Sequence, residues 1–204
     1  MIVVVEGPSG AGKTTWCMRH GGPHALLESL PDHSTVPTDP EAAAQYWVER
    51  NVARWDEVLT REKRDGLVIV DVDPLKLHYV WSKWRTGSAT ERDWVLQRDA
   101  AREAFAAGRY ALADLALVSD ISMDELYRRR AADTTRTRRN FEVHVQLRDS
   151  LLAWYRAIDA IEPGRVRFGL PEGGVPREML ALGPRKERSG AALFDRLISL
   201  LPKL

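Results

Sequence analysis

Eight consecutive residues, Gly7-Pro8-Ser9-Gly10-Ala11-Gly12-Lys13-Thr14, fit the pattern GxxxxGK[ST] at every fixed position. Glycines at these places let the chain turn so that backbone N–H groups face inward around a phosphate. Met1–Glu6 (MIVVVE) before them reads as a strand, and Thr15–His20 after them reads as a helix. The turn therefore opens onto a helix N-terminus, whose partial positive charge favours an anion. Lys13 has the reach for the terminal phosphates of a nucleotide, and the Thr14 hydroxyl is a ligand type for Mg²⁺. Gly7, Ser9, Gly10, Ala11, Gly12, Lys13, Thr14 and Thr15 are thus expected to hold the phosphates. A tight turn with a solvated lysine would leave the glycines and the lysine without a reason.

Acids and arginines elsewhere supply what a phosphoryl group would need around it. Leu67–Asp73 (LVIVDVD) is an apolar run ending in two aspartates. Ligands gather beyond the carboxyl ends of parallel strands. Asp71 is the candidate for Mg²⁺ and Asp73 for contact with an acceptor or for base work; a plain turn cap is the alternative. Glu28 ends His24–Glu28 (HALLE) and is a third candidate acid. Between Arg128 and Arg139 stand six arginines and one acid, Asp133, a local charge of +5 that leaves −4 for the rest. Asp133-Thr134-Thr135 breaks the helical propensity between two arginine clusters. Arg130, Arg136 and Arg138 are the candidates to meet one anion. Guanidinium groups there would stabilise the charge spread over a transferring phosphoryl group. A solvated helix face is the plainer reading of the same block.

These side chains need elements to place them. Strands are expected at Met1–Glu6, His24–Glu28, Leu67–Val72, Asp114–Val118 and Arg165–Gly169. Helices are expected from Pro40 to about Arg64, over Thr90–Ala107, Ser122–Arg130 (with a capping box from Ser122 and Glu125), Asn140–Ile161 and Ser189–Leu201. Pro74–Arg85 reads as helix or loop. Alternating strand and helix implies a parallel sheet covered on both faces.

Composition narrows the class. At 204 residues one domain is expected. Thirty basic and 29 acidic residues give a net charge of +1. A dedicated nucleic-acid binder would show a basic excess, so no nucleic-acid partner is expected. No run approaches the about 20 apolar residues that span a bilayer, and no signal-like leader is read. No membrane partner and a cytoplasmic location are the expectations. Cys17 is the only cysteine, so no internal disulfide forms, and it reads as a small buried apolar residue. The five histidines show no metal-ligand spacing.

No Asn-Lys-x-Asp guanine reader is present. Residues 6–15, EGPSGAGKTT, resemble the phosphate loop of the nucleoside and nucleotide kinases among the P-loop proteins, the deoxynucleoside and thymidylate kinase-like group. The arginine-rich stretch, about 128–140, resembles that group's lid. The resemblance implies a three-layer P-loop NTPase fold: a parallel α/β sheet of about five strands, helices on both faces and an Arg-rich lid, in one domain over 1–204. It implies ATP and Mg²⁺ as cofactors, with Lys13, Thr14 and Asp71 beside them. It also implies that Glu28 contacts the acceptor's hydroxyl. The helices between the second and fourth strands would form the acceptor pocket, with Trp47, Arg50, Arg54, Tyr79 and Trp84 as its candidates. The loop after the last strand would lie beside the adenine, with Arg185 there. Relatives often carry an arginine directly after the acid of the third strand; Val72 stands there in this chain.

The expected activity is transfer of the γ-phosphoryl group of ATP to a hydroxyl or phosphate of a nucleoside- or nucleotide-like small molecule. The alternatives are a kinase for another small metabolite or an antibiotic hydroxyl, and a nucleotide-switched binding protein. A nucleic-acid-end kinase would need an extended basic groove. A homodimer is left open.

Overall fold

A computed structural model of the chain describes residues 1–29, 31–132 and 141–203. Its strands are β1 (Ile2–Glu6), β2 (Ala25–Leu26), β3 (Val68–Asp71), β4 (Leu115–Val118) and β5 (Val166–Phe168). Its helices are α1 (Lys13–Gly21), α2 (Pro40–Asp65), α3 (Leu77–Arg85), α4 (Glu91–Ala106), α5 (Met123–Ala132), α6 (Phe141–Gln146), α7 (Arg148–Ile161), α8 (Arg177–Leu180) and α9 (Ala191–Leu200). The strands form one sheet in the order β2-β3-β1-β4-β5, and each neighbouring pair is parallel.

Continuous β-branched runs put apolar side chains on both faces, because successive side chains alternate. Ile2, Val4, Val68, Val70 and Val118 belong to the larger core, which holds side chains of α2, α3, α4, α7 and α9. Val3, Val5, Ile69, Leu115 and Leu117 belong to a smaller core with Trp16 and Cys17 of α1, against which Met179 and Leu180 of α8 pack. Helices therefore cover both faces, as expected. The register sets Val5 opposite Asp71 and Glu6 opposite Val118, so the carboxyl ends of the three central strands are level.

Local signals explain most boundaries. Asp39 caps α2 by accepting from the Ala42 N–H at 2.8 Å, Pro40 opens the helix, and Gly66 closes it with φ 73°. Thr90 and Asp93 form a reciprocal capping box on α4. The box expected at Ser122 is only half made: Ser122 Oγ accepts from the Glu125 N–H, but the Glu125 carboxylate pairs with Arg128 and Arg129.

Three elements differ from expectation. The second strand shrinks to Ala25–Leu26, because Gly22–His24 winds into a 3₁₀ turn, and Glu28 lies beyond it. The helix expected over 140–161 is divided at Leu147 into α6 and α7, where Arg148 turns to donate to the carbonyls of Asp120 and Ile121. The short helix α8 is an addition. Arg136 and Arg138, with the Asp133–Thr135 break, lie outside the described residues.

Candidate active site

The glycine-rich turn joins β1 to α1 at the level strand ends. Gly7, Gly10 and Gly12 have φ of 148°, 91° and 90°. At Gly7 a side chain would also collide, since an added Cβ would lie 2.8 Å from the Ser119 Cβ at the end of β4. The Gly7 N–H is spent inside the protein on Glu6 Oε1, at 2.8 Å. Glu6 is thus a buried brace that reading the sequence missed; its other oxygen accepts from the Asp73 N–H at 3.2 Å. Lys13 Nζ folds back to donate to the Gly7 and Pro8 carbonyls, at 2.7 and 3.2 Å. The N–H groups of the first helical turn have no intrahelical partner; the Trp16 N–H makes the first such bond, to the Gly12 carbonyl at 2.9 Å.

A cavity of about 730 Å³ opens over this turn. Ser9, Gly10, Ala11, Gly12, Lys13, Thr14 and Thr15 line it, together with more of α1, Glu28, Arg129 and Leu170. Gly7 lies beneath. Thr14 Oγ1 donates to Asp71 Oδ2 at 2.7 Å, while Asp71 Oδ1 is buried with no partner. Burial lifts the Asp71 carboxyl above its usual range, against the pull of the Thr14 bond and the Lys13 charge. A hydroxyl beside an orphaned carboxylate oxygen suits a hard divalent cation, which favours oxygen ligands. A loop of positive-φ glycines with a lysine at its centre suits a polyphosphate. The residues present therefore fit Mg²⁺ and a nucleotide.

Asp73 is placed differently. It is 3% exposed, and its oxygens accept from the Leu75 N–H and the Tyr155 hydroxyl, both at 2.9 Å. Burial, with help from Glu6, pushes its pKa up to about 6. Between the two acids, Val72 has φ 69°. That left-handed conformation costs a β-branched residue about 1–3 kcal/mol.

Glu28 forms an ion pair with Lys76. Burial raises its carboxyl, but Lys76, with Lys13 and Arg54 behind it, outweighs this and holds the pKa below the usual range. Arg54, from α2, donates to the Asp71 carbonyl at 2.5 Å. Tyr79 stacks on His144 of α6, with ring centres 5.6 Å apart. Burial, then the charges of Lys13 and Lys76, lower the His144 pKa, so this ring borders the same cluster.

Other candidates lie apart. Arg50 donates to the Ser29 carbonyl at the rim. Trp47 lines a second cavity, of about 320 Å³, with Val80 and Lys83. Trp84 stacks on Trp94 at the margin of the larger core. Arg130 stacks over Phe141 and pairs with Glu142, both on α6. Its neighbour Arg129 instead donates to the Ala11 carbonyl at 3.1 Å. Arg185 requires a correction. It bonds to Asp114, Glu162 and Gly164, at the amino ends of β4 and β5, the opposite edge of the sheet from the phosphate loop. The segment that does reach the cavity is Leu170-Pro171, just after β5, tied to α1 by the Trp16 Nε1–H donating to the Pro171 carbonyl at 2.7 Å. Burial pushes the Cys17 thiol up to about 12, so it is no nucleophile.

No family model matches the chain, and no curated protein matches it. Among solved structures, one that is similar is a deoxyadenosine kinase from M. mycoides with bound dATP. The TM-score is 0.55 at 14% sequence identity, over 83% of this chain and 90% of that one. The likeness is one of fold: a parallel sheet with helices on both sides.

Proposed function

We propose that the protein is an ATP- and Mg²⁺-dependent kinase that phosphorylates a nucleoside- or nucleotide-like small molecule. One observation carries the reading. The phosphate loop, the Thr14–Asp71 pair and the Glu28–Lys76 pair converge on one edge of the sheet. The neighbour of similar fold is a nucleoside kinase holding a nucleotide, which supports the same reading.

In this reading the loop amides, Lys13 and Arg129 bind the phosphates, and Thr14 and Asp71 hold Mg²⁺, which neutralises phosphate charge when bound. Glu28 receives the acceptor hydroxyl. The acceptor oxygen forms a bond to the γ-phosphorus, the bond from that phosphorus to the β-bridging oxygen breaks, and ADP leaves with the electron pair. The hydroxyl proton passes to Glu28 Oε2, the oxygen not bonded to Lys76. A carboxylate with a lowered pKa is a weak base, so Glu28 chiefly orients the hydroxyl. That is adequate for a loose phosphoryl-transfer transition state, which asks little of a base. Arg136 and Arg138, in the segment that resembles a lid, complete the charge around the phosphoryl group. Val72 in place of an arginine favours, as the second reading, a hydroxylated metabolite outside the nucleosides.

ATP consumption by the pure protein with Mg²⁺ tests this, against nucleosides, nucleoside monophosphates, sugars and aminoglycoside-like alcohols. Strong stimulation by a nucleoside or nucleotide, abolished in Lys13→Ala, is the expected result. Full activity in Lys13→Ala would overturn the site. ATP binding with slow hydrolysis and no stimulation by any acceptor would favour a nucleotide-switched protein.

A further inference from the structure

We infer that Arg54 is a positioning residue: its guanidinium clamps the end of β3, so that the Asp71 carboxylate stays against Thr14. The inference rests on the proposed nucleotide site and adds to it the device that aims one of its ligands.

The argument begins with one peptide plane. Val72 is the one non-glycine residue with positive φ among the described residues. The peptide unit before it carries the Asp71 carbonyl and the Val72 N–H. Arg54 Nη2 donates to that carbonyl at 2.5 Å, and the N–H donates to the Val5 carbonyl at 3.0 Å. Both edges of the plane are therefore pinned, one from α2 and one from β1. The next N–H, of Asp73, is held by Glu6 Oε2. A plane fixed in this way sets the torsions on either side of it, including the left-handed φ that a β-branched residue resists. The turn sends Asp71 to Thr14 and Asp73 inward to Tyr155.

The placement of Arg54 agrees with this task. Its charge lies among Glu28, Asp71, Glu6 and Asp73, which oppose the effect of its burial. Its Nε is buried without a partner, so the guanidinium is spent on the strand end at some cost. Without the clamp, the plane keeps only its bond to β1, so it can tilt to relieve Val72, and the Asp71 carboxylate shifts with it.

Glycine adopts a left-handed φ without a steric penalty, so it has no need of the clamp. The test is a cycle of Arg54→Met, Val72→Gly and the double variant. Arg54→Met keeps the stem of the side chain and removes the guanidinium. Melting temperature is read without ligand, with ATP and EDTA, and with ATP over a series of Mg²⁺ concentrations. Arg54→Met is expected to raise the Mg²⁺ needed for a half-maximal shift about tenfold, the effect of one lost charged hydrogen bond. The shift in EDTA should stay. Adding Val72→Gly should restore most of the Mg²⁺ response, and the ligand-free loss from Arg54→Met should be smaller in the glycine background.

Equal Mg²⁺ responses in Arg54→Met and the parent would overturn the inference, as would a double variant no better than Arg54→Met. If the parent shows no shift with ATP, the nucleotide site itself fails. The ligand-free cycle then decides the clamp by itself, and strictly additive losses reject it. If Arg54→Met does not fold, Arg54→Lys replaces it, keeping the charge among the acids without the planar fork. A smaller response of the same pattern is expected, and additive losses again reject the clamp.

Discussion

Asp71 and Asp73 are two residues apart and chemically unlike. Asp71 keeps an oxygen without a partner beside Thr14, whereas both oxygens of Asp73 are satisfied inside the protein. The pattern LVIVDVD shows that acids end the strand, but not which one meets Thr14. Alternation alone would send both to the same side; the left-handed Val72 between them breaks it. Asp73 carries a pH prediction. Its pKa in the folded protein, about 6, lies above that of an exposed aspartate. Between about pH 4 and 6 the folded state therefore binds the proton more tightly than the unfolded chain. Stability is lost as pH rises through that window, and the full penalty, about 3 kcal/mol, is present by pH 7. Asp73→Asn keeps an oxygen for the Leu75 N–H and has no charge to bury. Its melting temperature relative to the parent should rise between pH 4.5 and pH 8. A relative fall over that range would show that the charged carboxylate stabilises the fold.

The arginines of α5 show what a helix adds to its residues. The spacing of RRR at 128–130 contains no information about which one meets the phosphate loop, because that depends on how the helix docks. The structure turns Arg129 onto the Ala11 carbonyl and Arg130 onto Phe141 and Glu142. Arg129→Ala is expected to lower ATP turnover about tenfold or more, the equivalent of one charge-assisted hydrogen bond. Arg130→Ala should change it less than about threefold, since an exposed ion pair contributes little. The reverse order of effects in steady-state rates would return the role to Arg130. Helix ends are legible in the sequence where proline and glycine mark them, and less so where a capping box does. Pro40 and Gly66 bound α2 almost as read. The pair Thr90 and Asp93 was not read as a capping box, although its spacing allows one. Thr90→Ala should cost about 1 kcal/mol of stability and leave ATP affinity unchanged, as measured by thermal and binding titrations.

At the scale of the molecule, the two faces of the sheet differ in what they hold. The larger core contains most of the tryptophans: Trp55, Trp81, Trp94 and Trp154 are buried there. These rings serve packing; of the acceptor-pocket candidates, Trp84 stacks against the same core and Trp47 lines the second cavity. The smaller core contains Trp16 alone, and this ring joins α1 to the chain after β5. That is also where the sequence misled: Gly183-Pro184-Arg185 follows the last strand in order, but the chain has by then crossed to the opposite edge of the sheet. Turn signals give the order of loops and not the edge on which each one lies. The division of cores predicts a division of effects. Trp154 is fully buried against Trp81 and Trp94, with ring centres 5.8 and 6.5 Å away. Trp154→Ala should cost about 3–5 kcal/mol, a large part of the stability of such a domain. Trp16→Phe keeps an aromatic ring in the smaller core, gives up part of the indole's packing there and loses the bond to Pro171, worth about 1 kcal/mol. It also frees Leu170, which lines the cavity over the glycine-rich turn. ATP affinity should therefore fall severalfold in Trp16→Phe, while its melting temperature falls much less than that of Trp154→Ala. If affinity is unchanged when that bond is lost, the segment after β5 has no part in holding the nucleotide, and the smaller core serves only to cover the sheet.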